Sequence, residues 1–201
     1  MDNMNHSYQY EGVKVLKSSH PTIRKLKCSY DTEIHGNKLW GSSFLIMKHL
    51  KKNPLHKKDH VLDLGCGWGM TGIYAQKKFG CKVTSVDADE NVFPYLEAHE
   101  ELNKVQLNQK VARFEKLTSN FLKDIDVIVA ADVCFWDELT DIHYNLIKRA
   151  KKVGVKKIIY GDPVRETFTN LIEKCEKDFN VDSPYMEAKT TRKITGQLMI
   201  L

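Results

Sequence analysis

The chain has 201 residues, 42% hydrophobic and 28% charged, which suits one globular domain of ordinary size and excludes a disordered or fibrous polymer. Its net charge of +5 comes from lysines spread along the whole length in pairs such as Lys51-Lys52 and Lys156-Lys157; this reads as a solvated surface with a weak preference for acidic partners, and no nucleic-acid partner is expected. Five cysteines with no C-x-x-C exclude a disulfide framework and a zinc ribbon, and no apolar stretch approaches membrane-spanning length, so a cytoplasmic protein with no membrane partner is expected.

In chain order, residues 8–17 alternate through Val13 and Val15 as a strand does, and residues 23–30 are expected to pair with it across Ser18-Ser19-His20-Pro21. Residues 1–35 are read as an N-terminal extension and residues 36–201 as a single domain. Phe44, Leu45, Met47 and Leu50 recur at helical spacing, with Ser42 or Ser43 as the expected cap. His49, His56 and His60 lie in a lysine-rich linker without acid or cysteine ligands at matching intervals, so no metal is expected. Residues 61–64 form an apolar strand broken by Asp63; a glycine-rich turn and a helix over 70–79 follow. Residues 83–86 alternate as a second strand ending at Asp87.

Asp89 reads as a helix cap, and Pro94 fits only a first turn. Residues 111–117 read as a third strand, and 127–131 as a fully buried one ending in Asp132. A helix over 137–151, a strand over 156–160, a helix over 166–179 and two final strand-like runs complete the pattern. Strands alternating with helices predict an α/β, doubly wound Rossmann-like sheet.

The glycines at 65, 67 and 69 are spaced G-x-G-x-G, whereas a dinucleotide loop requires G-x-x-G after the first pair and Met70 stands there. No Gly-Lys-Ser/Thr follows, which removes a triphosphate loop. Asp63, two residues before the first glycine, would repel a pyrophosphate and suits a cationic amino group. Asp63-Leu64-Gly65-Cys66-Gly67-Trp68-Gly69 followed by Val86-Asp87 resembles the S-adenosylmethionine site of the seven-strand (class I) methyltransferases. The block Asp132-Val133-Cys134-Phe135 is similar to the Asp-x-x-Tyr signature of the small protein-lysine methyltransferases, with phenylalanine in place of tyrosine. Gly161-Asp162-Pro163-Val164-Arg165 resembles a segment of the branch that holds the electron-transfer-flavoprotein beta-subunit lysine methyltransferase.

The resemblance implies a seven-strand, mostly parallel sheet closed by an antiparallel C-terminal hairpin. It implies S-adenosylmethionine as cofactor, held by Asp63, Gly65, Cys66, Gly67, Trp68 and Gly69, by Asp87 and Ala88 at the ribose, and by Trp40 and Asp132 nearby. The family's acid after the third strand is replaced by Leu117-Thr118-Ser119-Asn120, leaving Thr118 or a backbone group for the adenine. Asp132 would orient or deprotonate the acceptor amine; Phe135, Trp136, Asp162 and Arg165 would face the substrate. A protein amine, a small-molecule amine and a catalytically silent cofactor binder all remain as readings.

Overall fold

Residues 6–33 and 36–201 are described by a computed structural model. Two hydrophobic runs make the centre of the sheet: β3 (His60–Leu64) and β6 (Val127–Ala131), paired in parallel with Leu62 opposite Ile128. Both are buried on both faces, as the near-continuous apolar composition requires. β4 (Lys82–Asp87) and β5 (Asn108–Val111) extend the sheet on one side. On the other side lie β7 (Lys157–Asp162), then β9 (Lys193–Ile200) and β8 (Tyr185–Lys189), giving the order β5-β4-β3-β6-β7-β9-β8. The first five are parallel; β9 runs antiparallel to both of its neighbours, which closes the sheet with the expected hairpin.

Successive strand residues feed opposite cores. Val61, Val83, Val127 and Val129 pack with α2 (Ser42–Lys52), α3 (Met70–Phe79) and α4 (Phe93–Asn103). Leu62, Leu64, Ile128 and Tyr160 pack with the short α5 (Ser119–Leu122), α6 (Asp137–Lys152) and α7 (Glu166–Glu176). The chain reverses its direction of winding at β3, so the crevice at the carboxyl ends of β3, β4 and β6 is where this topology receives ligands. No helix among the described residues is long and apolar enough to cross a membrane.

Three local expectations are corrected. The N-terminal hairpin closes earlier, pairing β1 (Ser7–Tyr10) with β2 (Val13–Leu16) across Glu11 and Gly12, both at positive φ (48° and 87°). The segment expected as its partner is a helix, α1 (Pro21–Ser29): His20 accepts the Thr22 amide, Pro21 sits in the first turn, and Ile23 and Leu26 fall three apart on the inner face. The hairpin packs on α4, where Asn103 Oδ1 accepts from the Lys14 amide (2.8 Å) and the His99 ring accepts from the Leu16 amide (3.2 Å).

The strand expected over 111–117 ends at Val111, and a 3₁₀ turn over Phe114–Lys116 follows. β5 is an exposed edge strand of polar residues, so it lacks the apolar alternation that marks an inner strand. Neither Ser42 nor Ser43 caps α2 with its side chain: Ser43 donates back to the Trp40 carbonyl (2.8 Å), and the Ser42 amide is taken by Asp132 from across the molecule.

Candidate functional site

The loop after β3 doubles back because Gly65, Gly67 and Gly69 all adopt positive φ (65°, 49° and 72°). The amides of Gly65 and Cys66 both donate to the Val86 carbonyl (2.8 and 3.0 Å), pinning the loop over the end of β4. At Gly65 a methyl group would stand 2.6 Å from Val133, and at Gly69 2.0 Å from Leu96; at Gly67 it would meet nothing within 4 Å. Gly67 therefore presents bare backbone to open space. Asp87, at the end of β4, accepts from the Gly67 amide (3.1 Å) through one oxygen and from the Asp89 amide (3.2 Å) through the other, and burial raises its carboxyl above the ordinary range. Asp89 in turn caps the next turn by accepting from Asn91 (2.9 Å), as expected.

Beside this loop lies a cavity of about 220 Å³. Gly65, Gly67, Asp87 and Ala88 form one wall, Arg113, Phe114 and Glu115 another, and Trp40, Asp132, Phe135 and Trp136 the far end. A smaller lobe of about 30 Å³ shares Trp40, Gly65, Gly67 and Ala131 with it and is lined further by Lys38, Asp63, Cys66, Trp68 and Met70. Asp63 is buried there, accepting from the Gly72 amide (3.0 Å); burial, reinforced by Asp87, pushes its carboxyl up to about 7. Burial also pushes the Cys66 thiol well up, which makes it a poor nucleophile. Trp68 is mainly an anchor, donating from its indole to the Gly36 carbonyl (3.0 Å) and stacking on Tyr95 and His99.

The other end of the cavity is assembled from side chains. Asp132 sits just past β6 in a left-handed conformation (φ 59°) that aspartate tolerates better than most residues. One of its oxygens accepts from the Ser42 amide (2.8 Å) at the start of α2, where the helix dipole favours an anion. The other faces Arg165 (3.3 Å), whose guanidinium also pairs with Asp162 at the end of β7 (2.5 Å). The Arg165 amide donates to Asp162 as well (2.7 Å), a turn that forces Val164 to φ 77°, a strained value for a β-branched residue. The guanidinium lies 4.5 Å from the Phe135 ring centre and 5.7 Å from that of Trp40, and the two rings meet edge to face at 5.0 Å. Asp132, Phe135, Asp162, Arg165 and Trp40 thus form one charged and aromatic cluster.

Thr118 lies elsewhere: its hydroxyl accepts from the Phe121 amide at the start of α5 and does not line the cavity. The acid that lines the cavity after β5 is Glu115, hidden from sequence reasoning because it falls inside a strand expected to run to 117 that ends at Val111. Lys38 was also missed; it gave no periodic signal, and it lies over the nearby Trp40 ring (4.1 Å) in the lobe that Asp63 also lines. His49, His56 and His60 do not converge, and no cluster among the described residues is arranged to hold a metal.

A lysine methyltransferase family profile matches residues 24–177. Ribosomal protein L11 methyltransferase of Campylobacter concisus is 31% identical over 135 residues, covering 63% of this chain and 44% of its own length. That of Thermotoga neapolitana is 28% identical over 138 residues, covering 68% and 47%. The chain thus spans less than half of these curated relatives. Among solved structures, a Pyrococcus abyssi tRNA (uracil-54, C5)-methyltransferase in complex with S-adenosyl-L-homocysteine superimposes with a TM-score of 0.66 at 18% identity, covering 96% of this chain and 43% of that one, a likeness of fold.

Proposed function

The chain belongs to the lysine methyltransferase family, and on that footing we propose that it is an S-adenosylmethionine-dependent N-methyltransferase acting on a lysine-like amine of a protein. The observation that carries this is a single cavity with two chemically different ends: Gly67 and Asp87 at one, Asp132, Phe135 and Trp40 at the other. The residues present fit the cofactor. Bare backbone at Gly67 admits close approach, Asp87 offers carboxylate oxygens to a ribose, and Asp63 with Lys38 brings one acid and one cation to the lobe where a zwitterionic amino-acid end would lie. Glu115 or the backbone beside it, rather than Thr118, would meet the adenine.

When bound, S-adenosylmethionine supplies an electrophilic sulfonium methyl, transferable to a neutral nitrogen. The chain's own task is to align that nitrogen and exclude water. Asp132 retains unshared lone pairs beyond its bonds to Ser42 and Arg165, enough to accept an N–H of the acceptor and orient its lone pair. The Trp40 and Phe135 rings, faced by Lys38 and Arg165, would supply the apolar wall beside the amine, with Trp136 at the mouth. Asp162 and Arg165 hold Asp132 in place. Every residue of this site falls within 36–201, which we take as the methyltransferase domain, with the N-terminal segment bracing α4.

A protein acceptor is favoured over an enclosed small molecule because a third cavity, of about 320 Å³, opens on the outer side of Trp40 and Asp132. The names of the Campylobacter and Thermotoga relatives give those enzymes a ribosomal protein as substrate. Calorimetric titration of wild type and Asp87→Ala with S-adenosylmethionine and with NAD tests the reading. Expected is S-adenosylmethionine binding that Asp87→Ala weakens about tenfold or more, the scale of one charge-assisted hydrogen bond, followed by label transfer to lysine in protein extracts. Binding of NAD instead, or no binding, overturns it; tight binding without any transfer leaves the silent binder.

A further inference from the structure

The outer cavity beyond the acceptor cluster is not used by the cofactor chemistry, and its rim holds positive charge that its acids do not fully neutralise. It is lined by Trp40, Asp132, Pro163, Arg165 and the hairpin residues Arg192 and Lys193. Its carboxylate at the base is already engaged: Asp132 is tied to Arg165 and the α2 amide, and Asp162 beneath it is tied to Arg165. On the rim, Lys193 pairs with Glu187 (2.7 Å), and Lys189 stands opposite Lys193 in the hairpin register. Arg192 forms no ion pair among the described residues and its side chain is exposed. The rim therefore carries more positive charge than its own acids neutralise, and Trp40 and Asp132, which line this groove and the main cavity alike, connect it to the acceptor end.

We propose that this groove recognises an acidic segment of the protein substrate, so that the enzyme selects amines flanked by aspartate or glutamate. The inference rests on the methyltransferase reading for the role of the acceptor end. A basic rim alone would also attract a nucleic acid. The acceptor end at its base and the lysine methyltransferase family of the chain favour a lysine in an acidic context over a phosphate backbone, which brings no such amine there. Long-range attraction between an acidic segment and the rim would speed encounter and fix register, and would fade with salt.

The test uses the full-length protein with S-adenosyl-L-homocysteine present and two fluorescent peptides, each with one central lysine, flanked by glutamates in one and by glutamines in the other. Anisotropy is expected to show the acidic peptide binding about fivefold or more tightly at low salt, the sum of a few exposed charge pairs. The preference is expected to vanish in Arg192→Glu, and to be reduced in Arg192→Gln as the milder control, with S-adenosylmethionine affinity unchanged in both. Equal binding of the two peptides, no binding of either at millimolar peptide, a preference that survives Arg192→Glu, or displacement by oligouridylate at lower concentration than by unlabelled acidic peptide would each overturn it. Loss of S-adenosylmethionine binding with the peptide preference intact would break the methyltransferase reading and leave the groove assignment standing.

Discussion

The two ends of the main cavity are built by different means. The end we propose for the cofactor is mostly one continuous stretch, a loop with three positive-φ glycines and the end of the neighbouring strand within residues 63–89, with Lys38 and Glu115 added from elsewhere. The acceptor end is side chains from the 36–41 loop, the ends of β6 and β7 and the first amide of α2, joined by ion pairs and ring contacts. A backbone site tolerates little change in its own glycines and much change elsewhere. A side-chain site can be retuned one residue at a time, which is how one fold accommodates many acceptors.

The largest effect is expected at the backbone end. Gly69→Ala places a methyl 2.0 Å from Leu96 at φ 72°, so left-handed strain and overpacking combine to about 3–4 kcal/mol. Thermal unfolding should fall by roughly 10 °C; an unchanged melting temperature would show that the loop has a glycine-free alternative. At the other end, Arg165→Ala strips the cation from Asp132 and Asp162, which are 3% and 1% exposed. The expected loss is about 2–3 kcal/mol, at the lower end for a buried pair because Arg165 is itself a quarter exposed. S-adenosylmethionine affinity should hardly move; if it drops with stability, the two ends are not independent.

A smaller, pH-dependent effect separates the ends further. If Asp63, raised to about 7, holds the cofactor's ammonium as proposed, it must ionise to do so, and affinity should climb as pH rises through 7. It should level off or decline near 8, where α-amino groups lose their proton. Calorimetry on Asp63→Asn is expected to show the rising limb abolished; a limb that persists assigns the titration to another group.

The smallest effect concerns His143, which lies behind the acceptor end against Tyr160 (3.1 Å) and the Val133 carbonyl. Burial lowers its ring to about 4, so between about 4 and its ordinary 6.5 the unfolded chain binds the extra proton. Its contribution is thus complete above 6.5 and is lost as pH falls towards 4. Urea midpoints at pH 7 and 4.5 should therefore differ less in His143→Gln than in wild type; an equal difference would place the acid sensitivity elsewhere, His99 being a second ring lowered to about 4 by burial.

What the sequence alone determined is what depends on contiguous residues. The order of the main strands and helices from α2 onward, the buried character of β3 and β6, the glycine loop and the acid at 87 all follow from periodicity and from conformations that only glycine adopts cheaply. Elements whose identity depends on context were misread. The α1 segment carries two apolar positions that fit a strand or a helix until a core is present, and β5 is a polar edge strand held by its neighbour's hydrogen bonds. Only the tertiary structure brought Lys38 into the lobe that Asp63 lines, Glu115 to the cavity, the Ser42 amide to Asp132 and Arg165 between two carboxylates and two rings. Apart from the local Arg165–Asp162 pair, those contacts join residues tens of positions apart, and the energies that select them, desolvation and pairing of buried charge, exist only once the sheet has formed and excluded water.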